Sequence, residues 1–123
     1  MFEAACVKPE KPQEKIMLKS TMYFGRKVVW KDYTGKTIED QVTQMNWIAF
    51  LEQVVEKHFS GYTWYDANGV WMGEREETFV LEIIHEKASE HASAIAAIAG
   101  EYRKLFNQDS VAITVTELTF VQA

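Results

Sequence analysis

The stretch TFVLEIIH, residues 78–85, carries apolar side chains on both parities: Phe79, Leu81 and Ile83 on one, Val80 and Ile84 on the other, with Glu82 between them. Side chains of a strand alternate between faces. A run that is apolar on both sides therefore belongs at the centre of a sheet, with its second face also covered. Just upstream, Asn68-Gly69 is a strong signal for a two-residue hairpin turn, because both positions of a type I′ turn need positive φ. The spacing predicts an aromatic strand over residues 62–66. Its return strand begins at Val70 and Trp71, passes Met72-Gly73-Glu74-Arg75, and resumes over residues 78–85.

Downstream, a helix begins near Ser89. Ala92, Ile95, Ala96, Ala99, Tyr102, Leu105 and Phe106 form its buried stripe, and its alanine-rich middle permits close approach to a sheet. Residues 107–109 stop it, and residues 110–121 read as a long last strand. There Val111, Ile113 and Val115 share one side while Leu118 and Phe120 fall on the other. A bulge, or a strand end packed on another subunit, would explain the switch. Upstream, Thr43 is the N-cap of a helix whose stripe is Trp47, Ile48, Leu51, Val54, Val55 and Phe59, ended by Ser60-Gly61. Before it, residues 16–24 form a first strand with Ile16, Leu18, Met22 and Phe24 on one side, a pattern broken only by Ser20 and ended by Gly25. Val28, Val29 and Trp30 extend it beyond a bend, and residues 32–41 read as a polar loop.

Strand, helix, two strands, helix, strand is the split β-α-β arrangement. The expected fold is α+β: a ferredoxin-like β-α-β-β-α-β sandwich, with two helices on one face of an antiparallel four-stranded sheet. Residues 16–123 make a single domain. Residues 1–15, with Lys8-Pro9-Glu10-Lys11-Pro12, read as a flexible leader that has little to bury and is not a signal peptide.

Composition narrows the function classes. The chain has 123 residues, 47% hydrophobic and 13% aromatic, with a formal charge of −5. A chain of this size buries only about two-thirds of its unfolded surface, so an apolar surplus falls on an outer face where association hides it. The acidic balance and the lack of a basic stripe argue against a nucleic-acid partner. No stretch approaches the roughly 20 apolar residues of a membrane span. Cys6 is the only cysteine, which excludes an internal disulfide and a cysteine-based zinc site and suits a cytoplasmic location. No phosphate-cradling glycine loop, paired metal-binding histidines or framed serine or cysteine nucleophile is present, so no metal or cofactor is expected.

The densest candidate site is the hairpin over residues 62–77, which sets Tyr62, Trp64, Tyr65 and Trp71 beside Asp66, Glu74, Arg75, Glu76 and Glu77. Aromatic faces next to carboxylates suit a cationic or heteroaromatic ligand. The same residues also read as cross-strand pairs above a solvated turn. Glu76 stands at the entry to the apolar strand, where a partly buried carboxylate takes a raised pKa and a hydrogen-bonding role; an exposed acid among others is the alternative. His85 ends that strand as a titratable group or as a structural histidine, and Tyr65 is a site donor or an ordinary strand tyrosine.

As an ordered set, Tyr23-Phe24-Gly25, Trp47, Phe50-Leu51, Gly61-Tyr62-Thr63, residues 66–71 (DANGVW), Glu76, Tyr102 and residues 106–111 (FNQDSV) resemble an uncharacterised bacterial family of small ferredoxin-like proteins. More faintly, Glu76-Glu77-Thr78 resembles the Glu-x-Thr motif that leads into a central strand in phage-encoded S-adenosylmethionine (SAM) lyases. That second resemblance implies Glu76 and Tyr65 as catalytic residues, with Tyr62, Trp71, Asp66 and His85 as substrate-binding ones. It also implies a homo-oligomer, a trimer before a dimer, with sites between subunits. The implied reaction yields 5′-methylthioadenosine and homoserine lactone, with SAM as the substrate and no cofactor. The rivals are a non-catalytic oligomeric module that binds a small ligand or a protein, and a monooxygenase-like dimer of the same fold.

Overall fold

A computed structural model describes residues 13–123. Most of the expected leader, and Cys6 with it, lies outside the described residues; residues 13–15 belong to the first strand. The elements run β1 Gln13–Gly25, β2 Lys27–Lys31, β3 Thr37–Gln41, α1 Gln44–Gln53, a 3₁₀ turn Val55–Lys57, β4 Thr63–Trp71, β5 Glu74–His85, α2 Ser89–Phe106 and β6 Ala112–Gln122. The main sheet has the order β4-β5-β1-β6, antiparallel throughout, and both helices cover one face of it. This is the ferredoxin-like sandwich, with β5 and β1 central. Among the described residues no helix is long and apolar enough to cross a membrane.

The helix-side core is aromatic. Met22 and Phe24 of β1 and Phe79, Leu81 and Ile83 of β5 meet Trp47, Phe50 and Leu51 of α1 and Ile95, Ile98 and Tyr102 of α2. Trp47 lies flat on Phe79, with centroids 4.8 Å apart and planes 7° apart, and Phe24 touches both Trp47 and Tyr102. Truncating a buried aromatic of this kind costs about 3–5 kcal/mol. Thr43 caps α1 reciprocally: its hydroxyl accepts from the Asn46 N–H at 3.0 Å, and the Asn46 side chain accepts from the Thr43 N–H at 3.2 Å. Ser20, the polar break in the first strand, is buried on the helix side against His85.

Four expectations need correction. Asn68-Gly69 does not turn; β4 stays in register through both residues to Trp71↔Glu74, and the turn is Met72-Gly73, with φ 50° and 83°. A local turn preference is outweighed here by continued ladder pairing, and two positive φ values fit a type I′ turn wherever they occur. Residues 32–41 are not all loop. Residues 37–41 form β3, paired with β2 as a separate two-stranded sheet around a turn in which the Asp32 carboxylate accepts from the N–H groups of Thr34 and Lys36. The α1 helix stops at Gln53, although its stripe continues as buried Val55 and Phe59. Last, β6 has no bulge: its register with β1 is unbroken from Tyr23↔Ala112 to Gln13↔Gln122, so Leu118 and Phe120 lie opposite Met17 and Lys15 on the face away from the helices.

The β2–β3 hairpin is bound to the end of α2. Asn107, in a left-handed conformation at the α2 C-cap, donates from its side chain to the Val29 carbonyl at 2.8 Å, and the Gln108 side chain donates to the Lys27 carbonyl. Arg26, at the bend between β1 and β2, lies 4.5 Å over the Phe79 ring, donates to the Val42 carbonyl, and pairs with Asp66 and Glu77, each at 3.7 Å. These bonds close one end of the sheet and shape the clefts described next.

Candidate functional site

The face of the sheet away from the helices carries Tyr65, Ala67, Gly69 and Trp71 from β4, Glu76, Thr78, Val80 and Glu82 from β5, and Tyr23 and Gly25 from β1, by alternation from the paired register. Val80 is buried within the single chain, between its cross-strand neighbours Tyr65 and Tyr23. At Val80 the covered second face expected for this strand is thus supplied by the chain itself. Among the described residues, Tyr65, Trp71 and Ile84 are the large apolar groups this face leaves open, at 44%, 45% and 42% exposure.

Two glycines give the site its depth. A Cβ on Gly25 would fall on a carboxylate oxygen of Glu76, and a Cβ on Gly69 would sit 2.6 Å from the indole nitrogen of Trp71. The Glu76 carboxylate thus lies over the backbone of β1, and the Trp71 indole folds back along β4 over Gly69. There it meets Tyr23 edge-on, with centroids 6.2 Å apart and planes at 67°. Glu76 is half-buried while Glu74, Arg75 and Glu77 are exposed. From the helix side, the Tyr102 hydroxyl donates to the Gly25 carbonyl at 2.7 Å, and burial pushes that phenol up.

Open clefts lie on either side of Glu76. One, of about 550 Å³, is bounded by Tyr23, Gly25, Trp71, Glu76 and the α2–β6 connection; the other, of about 680 Å³, lies against the β2–β3 hairpin. In the first, Glu74, Glu76 and Asp109 face Lys27, whose ammonium pairs with Glu39 at 3.4 Å. The cleft is negative, with two aromatic walls, and suits a cation that has an aromatic or apolar body. Among the described residues no group of His, Cys, Asp and Glu is arranged to hold a metal.

The residues singled out from sequence separate into two sets. Glu76, Trp71 and Tyr65 share the uncovered face. The Tyr65 hydroxyl donates to Glu82 at 3.1 Å and not to Glu76; burial and that carboxylate raise its pKa. Tyr62, Asp66 and His85 are elsewhere. The Tyr62 hydroxyl donates to Glu56 at 2.8 Å, and burial with that bond pushes the phenol up to about 12. Asp66 is held by Arg26. His85 is buried on the helix side, where its Nδ1–H donates to the Glu86 carbonyl at 2.8 Å and its Nε2 accepts from the Ser20 hydroxyl at 2.7 Å. Tyr23 was missed as a site residue. Its strand parity, opposite to Met22 and Phe24, was the available signal.

With this geometry in hand, comparison with known proteins gives three findings. A family model described as protein of unknown function (DUF3574) matches residues 19–121. No curated protein matches the chain. Among solved structures, a phage SAM lyase in complex with S-methyl-5′-thioadenosine is similar at a TM-score of 0.57 and 18% identity, covering 87% of this chain and 85% of that chain. A phage SAM lyase in the apo state is similar at 0.57 and 16%, covering 86% and 84%. At such identity the likeness is one of fold.

Proposed function

The chain belongs to the DUF3574 family of proteins of unknown function, and from that premise we propose that it is a SAM lyase acting at the Glu76–Trp71–Tyr65 face. The observation that carries the reading is a half-buried carboxylate beside aromatic walls, in a negative cleft, on a fold shared with a phage SAM lyase.

The reaction demands little of the protein. An oxygen of the substrate's own α-carboxylate attacks Cγ of the methionine part, the Cγ–S bond breaks, and its electron pair stays on sulfur. The products are 5′-methylthioadenosine and homoserine lactone, and no proton has to move. A negative nucleophile and a positive leaving group neutralise each other in the transition state, so a dry, weakly polar site favours the step. The remaining task is to hold the methionine chain folded, carboxylate against Cγ. Glu76 acts by accepting hydrogen bonds from the ligand and attracting its positive charge. Trp71 stacks or covers, while Tyr65, fixed by Glu82, lies on the same face outside both clefts, where it would meet a covering copy.

In one chain this face is open to water, and excluding water requires a lid. A second copy laid on Tyr65, Trp71 and Ile84 would supply it, which favours a homo-oligomer with sites between subunits; a trimer before a dimer is what the resemblance to the phage lyases implies. The same openness also favours the second reading, a non-catalytic module for small cationic ligands. Incubation of the purified protein with SAM, followed by chromatography, separates the two: methylthioadenosine and homoserine lactone are expected, and binding without either product would leave the module reading.

A further inference from the structure

Tyr23 is a group at this face whose hydroxyl the described residues leave unused. Of the five tyrosines, Tyr62, Tyr65 and Tyr102 each donate a hydrogen bond within the protein, to Glu56, Glu82 and the Gly25 carbonyl. Tyr33 is fully exposed at the β2–β3 turn. The Tyr23 hydroxyl has no hydrogen-bond partner among the described residues, yet its ring is half-buried and lines the same cleft as Glu76. Two residues further along β1, Gly25 seats the Glu76 carboxylate.

We propose that Tyr23, together with Trp71, forms an aromatic corner that receives the positive centre of the ligand above Glu76, so that the site selects for an onium charge. The proposal rests on the SAM reading and extends it to a specificity-determining residue. The two rings meet edge-on at 6.2 Å and line the same cleft as Glu76, which supplies the compensating charge. A sulfonium has no N–H to donate. It is recognised by π faces and a nearby carboxylate, not by a network of acceptors. Tyr65 is less suited to this contact: it pairs with Val80 from the other side as Tyr23 does, but its hydroxyl is committed to Glu82 and it lines neither cleft beside Glu76.

The test uses two stable probes and calorimetry: sinefungin, whose protonated amine stands in place of the sulfonium, and S-adenosylhomocysteine, the neutral thioether. Wild type should prefer sinefungin by at least about threefold, the lower range of a partly desolvated cation–π contact. Tyr23→Leu should abolish that preference, while Tyr23→Phe, which keeps the ring and the fold, and Tyr65→Leu should retain it. Loss of preference in Tyr23→Phe, or its persistence in a folded Tyr23→Leu, would overturn the role of the ring. Equal binding of both probes by a wild type that still releases methylthioadenosine would overturn the corner and leave the lyase standing. A wild type that binds neither probe and makes no product would end both.

Discussion

The carboxylate of Glu76 fills the space over Gly25 that the Cβ of any other residue would occupy. The acid and the glycine are on neighbouring central strands, and the position of one depends on the absence of a side chain at the other. Gly25→Ala should therefore act on the site more than on the fold. The clashing atoms are the end of a flexible side chain, so the melting temperature should fall by only a few degrees while Glu76 is pushed out of its seat. Turnover of SAM, or binding of a cationic analogue, should drop by about tenfold or more, as expected when a positioning group is displaced. Unchanged turnover in the Gly25→Ala variant would mean that the carboxylate acts equally well from elsewhere.

Glu76→Gln keeps the shape and removes the charge. Turnover of SAM should fall by about a hundredfold, on the scale of a lost positioning group, with the assembly intact. Glu77→Gln is the control, since Glu77 is exposed and faces Arg26 at 3.7 Å, a contact of the kind worth about 0–1 kcal/mol. Equal losses in both variants would reduce Glu76 to one charge of an acidic run.

The Tyr102 hydroxyl holds the other side of Gly25. Tyr102→Phe removes a buried donor and strands the Gly25 carbonyl, at a cost of about 1–2 kcal/mol and about 4–8 °C in melting temperature. A melting temperature equal to wild type would show that the carbonyl finds water instead.

Alkaline stability should depend on Tyr62. Burial and the Glu56 carboxylate push its phenol up to about 12, above the unfolded value of about 10. The folded state thus holds the proton more tightly. The stability that follows is complete below about pH 10 and is lost as pH rises through about 12. Tyr65 and Tyr102 are shifted in the same direction and add to the loss. Tyr62→Phe should flatten part of the fall in melting temperature across this window, and an unchanged slope would assign the whole effect to the other two phenols.

Assembly through the open sheet face predicts that Ile84→Glu lowers the mass seen by light scattering at micromolar concentration, because a charge would enter an apolar contact. Wild type running as a monomer under the same conditions would remove the lid that the second copy is proposed to supply.

Phe79, Leu81 and Ile83 could be placed in the core from sequence because strand alternation and helical spacing are local periodicities, set by backbone geometry and tested against burial at every residue. The Thr43 cap and the Ser89 start of α2 were legible for the same reason. The turn at Met72-Gly73 was not, since Asn68-Gly69 carries the better local signal and only pairing with residues 76 and 77 holds those two residues in a strand. Residues 37–41 looked like loop because a short, polar edge strand has no buried face to leave a pattern. Glu76 could be singled out from its place before an apolar run, but its seat on Gly25 could not. Asp66 and His85 looked available in the sequence and are occupied in the fold by Arg26 and Ser20. The sequence by itself determined the order of the four main-sheet strands and two helices and which parity of β1 and β5 faces the helices. Tertiary structure alone decided which exposed-parity side chains meet, because contacts such as Tyr23 with Trp71 depend on strand register and on where glycines leave room, and both are set between segments far apart in the chain.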